Sequence, residues 1–260
     1  MRASIRYTLA LCILALLAAC LMAALEYSAG KKGSLKCSSL SVTIADSLEN
    51  NFVSVSDIRG YIDAESGGYI GRALDSIDLA EMERIIDSKS AVLKSEAYVT
   101  GDGTLNISVT QRRPAVRFQR PDGGFYADRQ GYIFPLQGNY TAYVPVVDGA
   151  IPVNASGPYK GKAGSEKEQE WIDSIIRLVT YMEESGVWDK NIVQITVRGN
   201  GDLVLVPRQG KEKFLFGKPD NIEDKFSRME KYYTGIVPEK GEGYYSTVNL
   251  KYDGQIVCRK

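Results

Sequence analysis

Leu105, Ile107 and Val109 alternate with Asn106, Ser108 and Thr110, the period of two expected of a strand with one buried and one wet face. Gly101-Asp102-Gly103 precedes this run and residues Val92 to Val99 precede the glycines, so the pattern predicts a hairpin. Pro114 then removes a ladder donor and biases Arg113 towards extended backbone. One sheet is expected to end there and another to begin at Ala115, Arg117 and Phe118, which makes the stretch from Tyr98 to Phe118 a joint between two domains.

Upstream of the joint, Leu35 to Ile44 alternates as a strand with Leu40, Val42 and Ile44 on one face. Ser54 or Ser56 caps a short helix carrying Ile58, Tyr61 and Ile62. Asp78, with Glu81 three residues on, resembles a capping box for a second helix with Leu79, Met82, Ile85 and Ile86 on one face. The predicted order is β-α-α-β-β.

Downstream the pattern shortens. Ala115 to Gln119 and Phe125 to Ala127 flank a turn at Pro121-Asp122-Gly123-Gly124, and Asp128-Arg129-Gln130-Gly131 is a second turn before Tyr132, Ile133 and Phe134. Ser165 and Glu168 predict a helix to about Glu184, with Trp171, Ile175, Leu178, Val179 and Met182 as its core stripe. Ile192 to Val197 and Leu203 to Val206 predict a hairpin around Gly199-Asn200-Gly201, and Phe214 to Gly217 a further strand. Asp220 is placed to cap a last helix whose buried face is Ile222, Phe226, Met229 and Tyr233, with Gly235 at its end. Tyr244 to Lys260 gives a terminal hairpin with Asp253-Gly254 as a tight turn.

Tyr7 to Leu25 contains no charged residue. At about 1.5 Å per residue this run matches a hydrocarbon core of about 30 Å. Arg2 and Arg6 precede it and Glu26 follows it, so the predicted membrane helix leaves a cytoplasmic stub over residues 1–6 and exports the rest. A competing reading is a lipoprotein signal, because Leu17-Ala18-Ala19-Cys20 resembles a lipobox, although the apolar run continues beyond it through Leu25. Residues 26–34 form a Gly/Lys-rich connector.

Composition narrows the chemistry. The chain has 260 residues, 32 Lys and Arg against 32 Asp and Glu, and no histidine. The even charge argues against nucleic acid as a partner, and the missing histidine removes the commonest general base and metal ligand. Cys12 and Cys20 lie in the apolar run. Cys37 and Cys258 either pair across the exported part or remain two packed thiols, and their spacing fits no metal motif. Gly157 to Ala163 is one residue short of a phosphate loop, Gly199-Asn200-Gly201 lacks the third glycine of a dinucleotide loop, and Ser28-Ala29-Gly30-Lys31 lacks the companion motifs of a serine acyl-enzyme. Asn106, Asn139 and Asn154 begin glycosylation sequons. No catalytic, cofactor or metal residues are predicted, and the chain is expected not to be an enzyme.

The junction Q-R-R-P-A-V-R-F resembles that of the FtsQ/DivIB family of bacterial cell-division proteins, with Gln111 where the family usually has Glu. Asp128, Gly131, Phe134, Val144, Pro145 and Gly149 follow the family's layout in order. Val248-Asn249-Leu250-Lys251-Tyr252 looks like its terminal V-D-L-R-Y strand, with Asn249 for Asp and Lys251 for Arg. The resemblance covers nearly the whole chain and implies an α+β protein: a transmembrane helix over residues 7–25, a POTRA-like domain over residues 35–113, and a larger mixed α/β domain with a mostly antiparallel sheet over residues 114–260. A generic α+β module would show the same pattern upstream of Pro114.

That resemblance further implies a non-enzymatic scaffold of the inner membrane at the division septum. Its distal domain would bind small coiled-coil proteins, FtsB/DivIC-like and FtsL-like, and link them to septal peptidoglycan synthesis. A partner strand adding to residues Tyr252 to Lys260 would use backbone bonds for affinity and side-chain pockets for selection. Tyr252 matches the family tyrosine at that interface, and Gln255, Ile256, Val257, Cys258 and Arg259 are the other candidate contacts. Core packing is the alternative role for each. Two further readings are a POTRA-containing assembly or transport factor, which would usually repeat its small domain, and a lipid-anchored surface binding protein.

Overall fold

The structure is a computed structural model and describes residues 13–23, 35–48, 50–121, 123–155 and 157–260. Residues 13–23 are helical (α1), and Ile13, Leu14, Leu16, Leu17, Leu21 and Met22 are exposed on it. Among the described residues no helix is long and apolar enough to cross a membrane. The span expected over residues 7–25 falls partly outside them, and the stub, the connector and the Ser28 to Lys31 motif lie wholly outside.

By its internal contacts the chain divides into two compact units, residues 1–49 with 53–111 and residues 50–52 with 112–260. The second unit takes in Arg112 and Arg113, ahead of Pro114, and a short early segment that no sequence pattern announced.

The first unit is built from β1 (Ser39–Ile44), α2 (Val55–Ser66), α3 (Leu79–Asp87), β2 (Val92–Val99) and β3 (Thr104–Gln111). Its three-stranded sheet has the order β1-β3-β2, with β1 parallel and β2 antiparallel to β3. Ser54, and not Ser56, caps α2: its hydroxyl accepts from the Asp57 amide while the Asp57 carboxylate accepts from the Ser54 amide at 2.8 Å. Asp78 accepts from the Glu81 amide at 2.9 Å. These caps satisfy helix-end donors that burial would otherwise leave orphaned. Leu105, Ile107 and Val109 of β3 and Met82, Ile85 and Ile86 of α3 are all buried. Each contributes about 1.5–3 kcal/mol.

The second unit carries a nine-stranded sheet of order β12-β11-β10-β9-β8-β7-β4-β5-β6. Its strands are β4 (Pro114–Arg120), β5 (Gly123–Asp128), β6 (Ile133–Pro135), β7 (Val146–Gly149), β8 (Ile192–Val197), β9 (Leu203–Pro207), β10 (Lys213–Gly217), β11 (Thr247–Asn249) and β12 (Val257–Arg259). Pairing is parallel for β4 with β7, β7 with β8 and β10 with β11, and antiparallel elsewhere. Helix α4 (Glu166–Glu184), capped by Ser165, lays Ile172, Ile175, Leu178, Val179 and Met182 into the main core, with α5 (Trp188–Asn191) following it. Phe52 joins this unit's opposite end, edge-to-face against Tyr126, Phe134 and Tyr140.

Two expected helix boundaries differ. Asp220 does not cap α6 (Ile222–Lys231); Asn221 holds the N-cap position in left-handed backbone, φ 46°, and Asp220 forms an ion pair with Lys225 instead. Gly235 does not end the helix, because the chain widens into a π-helical turn over Tyr232–Ile236 and continues as α7 (Val237–Lys240) to Gly241. Tyr232 is buried at the start of this turn, and Tyr233, expected on the buried face, is half-buried.

Candidate partner-binding edge

A sheet edge attracts another strand only where its outward backbone groups are free, so the four outer strands can be compared directly. On β6, the Ile133 amide donates to the Gly161 carbonyl at 2.7 Å and the Gly161 amide donates back to Ile133 at 2.9 Å. Pro135, in the same strand, has no amide hydrogen to offer. In the first unit, Arg59 of α2 donates to the Leu40 carbonyl of β1 at 2.9 Å, and Glu83 of α3 accepts from the Ala97 amide of β2 at 2.6 Å. Among the described residues β12 pairs with β11 alone.

The segment leading into β12 is held in place from two sides. Arg228, buried in α6, donates through Nη1 to the carbonyls of Tyr252 at 2.6 Å and Gln255 at 2.8 Å. Its Nη2 lies 2.7 Å from Asp224 Oδ2, an ion pair without hydrogen-bond alignment. Lys251 Nζ bonds Asp202 Oδ2 at 2.6 Å, and that bond holds the Asp202 carboxyl below its ordinary range. The Lys251 stem lies against Gly217, where an added Cβ would stand 3.0 Å from Lys251 Cγ and φ is +78°. Gly254, also at positive φ, closes the turn in which the Gln255 amide donates to the Tyr252 carbonyl.

The strands themselves are shorter and differently registered than a two-residue Asp253-Gly254 hairpin requires. Thr247, Val248 and Asn249 pair with Arg259, Cys258 and Val257, whereas that hairpin would place Tyr252 opposite Gln255. The register is offset by one residue, which reverses the facing of every side chain. The reason is local: the Asn249 side chain accepts from the Lys251 amide at 2.9 Å, and Leu250, fully buried, donates its amide to Leu215 of β10. Tyr252 and Gln255 are therefore exposed in the connection, and only Val257, Cys258 and Arg259 lie in the edge strand.

Of the candidate contacts, Ile256 and Cys258 pack towards the core, Val257 is half-buried and Arg259 is exposed. Burial raises the Cys258 thiol above its ordinary pKa, and Cys258 and Cys37 are both free. Tyr252 is 56% exposed, so it is not a core residue. Tyr244, which the sequence reading did not select, is 42% exposed, and Lys260 Nζ sits 4.3 Å from its ring centre. Arg228 and Lys251 were likewise not selected as site residues. Their partners are carbonyls and a carboxylate far away in sequence, and no local spacing signals them.

The turn that carries Asp128 and Gly131 has a structural explanation. Asp128 Oδ1 accepts from the amides of Gln130 and Tyr132, each at 2.9 Å, and Oδ2 pairs with Arg112 Nη1 at 2.9 Å. The Arg112 guanidinium lies 3.5 Å from the Tyr132 ring centre. At Gly131, φ is +72°, a backbone conformation that favours glycine, and an added Cβ would crowd the side-chain ends of Gln169 and Asp173.

A family model described as FtsQ/DivIB, C-terminal related, matches residues 113–259, more than half of the chain. The chain belongs to the FtsQ/DivIB family. A POTRA-like domain model matches residues 35–110, the five elements from β1 to β3. No curated protein matches the chain. The FtsQ/DivIB region spans β4 to β12, so the braced connection, the edge strand and the Asp128 turn all lie inside it. FtsQ/DivIB proteins are non-enzymatic division scaffolds, and the pair of domains marks a division protein. Among the described residues no group of His, Cys, Asp and Glu is placed to hold a metal.

Proposed function

We propose that the protein is a membrane-anchored scaffold of the bacterial division machinery whose C-terminal domain receives a strand from a small coiled-coil partner of the FtsB/DivIC or FtsL kind. The observation that carries this reading is the contrast between edges: β6, β1 and β2 each have at least one backbone group engaged from outside the sheet, and among the described residues β12 has none. The exposed apolar face of α1 supports an anchor in the inner membrane, with the bulk of the chain exported and concentrated at the septum. The two plugged edges of the POTRA-like unit weigh against a transport factor that hands chains along that sheet.

Magnitudes indicate how such an edge would work. A backbone hydrogen bond contributes about 0.5–1.5 kcal/mol net, so a three-residue strand alone falls short of the roughly 8 kcal/mol of a micromolar complex. Side chains must supply the rest, and exposed Tyr252 and Tyr244 are the aromatic anchors available beside β12. Affinity purification of the full chain from source-cell membranes tests the proposal. The wild-type chain should retain small single-pass coiled-coil proteins. Tyr252→Ala should weaken retention at least about tenfold, as loss of an anchor worth about 2 kcal/mol does, and Arg228→Met should weaken it by freeing the connection. Retention unchanged in both variants would remove the edge from the account; recovery of barrel proteins instead would favour transport.

A further inference from the structure

The second unit contains a cavity of about 590 Å³ whose walls include Tyr181, Trp188 and Tyr233 together with Glu212, Glu230 and Glu242, and no lysine or arginine. Glu212 is the unusual member: it is 4% exposed, and among the described residues no cation pairs with it. Its Oε1 accepts the Tyr233 hydroxyl at 2.8 Å. Its carboxylate rests against Gly210, where φ is +97° and an added Cβ would lie within 2.6 Å of both oxygens. The carboxylate is thus fixed in place by a glycine that leaves it room and by a phenol that donates to it. Burial, then the Glu212 bond, drives the Tyr233 hydroxyl far above the usual phenol range, so Tyr233 stays a neutral donor.

A buried carboxylate without a countercharge is costly, so the site favours a cation beside it. Aromatic faces attract cations through their negative ring quadrupole. The rings here are close enough to form one wall, with Trp188 and Tyr233 centres 6.3 Å apart and Trp188 and Tyr181 both packed on Phe226. The carboxylates do not converge as a metal-ligating group among the described residues. We propose that this cavity binds an organic cation, an alkylammonium or guanidinium head paired with Glu212, with its apolar stem against Trp188 and Tyr181. The site shares no residue with the β12 edge and does not depend on it.

The two sources of such a head are a side chain on another polypeptide and a free amine, and one titration separates them. The protein has two tryptophans, Trp171 and Trp188, so Trp171→Phe leaves an indole only in the cavity wall. The full chain carrying that change, held in lipid nanodiscs, is titrated with N-acetyl-lysine methylamide, 1,5-diaminopentane and the uncharged N-acetyl-norleucine methylamide. Saturable change in Trp188 emission is expected with a cationic probe and not with norleucine; the stronger cationic probe identifies the source. Glu212→Gln, which keeps an acceptor for Tyr233, should weaken binding about tenfold or more. Glu230→Gln, on an exposed residue of α6, should weaken it by a smaller factor without touching the buried carboxylate. A response to norleucine equal to that of lysine, no saturation with either cation, or unchanged affinity in both variants would overturn the proposal.

Discussion

Gln111 is fully buried at the end of β3 and bonds in both directions. Its Oε1 accepts from the Val53 amide at 2.9 Å, while its Nε2 and its own amide both donate to Asp46 Oδ1 at 3.2 Å. A glutamate here would accept from Val53 but would face Asp46 with a second negative charge. Gln111→Glu is therefore expected to destabilise the first unit by about 2 kcal/mol, through one lost buried hydrogen bond and the like-charge contact. Denaturant unfolding at neutral pH should show a lower midpoint, recovered in part on acidification; an unchanged midpoint would contradict the assignment. The residue scale also marks where sequence patterns stop. Asp78 and Ser165 were legible as caps because a cap is a contact three residues long. The Asp220 cap failed because Asn221 adopts left-handed backbone and Asp220 is drawn to Lys225. The bonds of Arg228 to the Tyr252 and Gln255 carbonyls join positions no local rule relates.

Elements whose alternation or helical stripe faces one core were legible over most of their length: β3, α3, α4 and the β8–β9 hairpin. What local pattern could not supply was order across the sheet and register at its end, since both depend on partners distant in sequence. The terminal hairpin shows this, with Asn249 and Leu250 overriding the Asp253-Gly254 turn. So does the π turn after α6, which carries the helix past the boundary expected at Gly235. Tyr232 is 1% exposed, stands edge-to-face with Phe214 at 5.6 Å, and is pushed by burial from the ordinary 10.0 up to about 12. A raised folded pKa means that the neutral phenol is the form the fold favours. Its contribution is complete below pH 10 and is lost as the pH rises from 10 to about 12. Thermal unfolding of the full chain should hold its midpoint below that window and fall within it. Tyr232→Phe, which cannot ionise, should fall less; identical profiles would contradict the linkage.

For the whole molecule, the arrangement assigns different roles to its sheets' edges. Three outer strands each have a backbone group engaged by the chain itself: Leu40 of β1 by Arg59, Ala97 of β2 by Glu83 and Ile133 of β6 by Gly161. Such closure is a standard defence against unwanted pairing. It makes the exception at β12 informative, because the loop before that strand is bound at Arg228 and Lys251. An edge held in one conformation loses less entropy on receiving a partner.

Amide hydrogen exchange on the full chain in membranes, alone and with its co-purified small partners, tests the open edge most directly. The account predicts that the amides of β12 facing away from β11 exchange quickly alone and are slowed in the complex, while Ile133 to Pro135 of β6 is unchanged. Slow exchange of those outward β12 amides in the chain alone, or partner-induced protection confined to β6, β1 or β2, would contradict it.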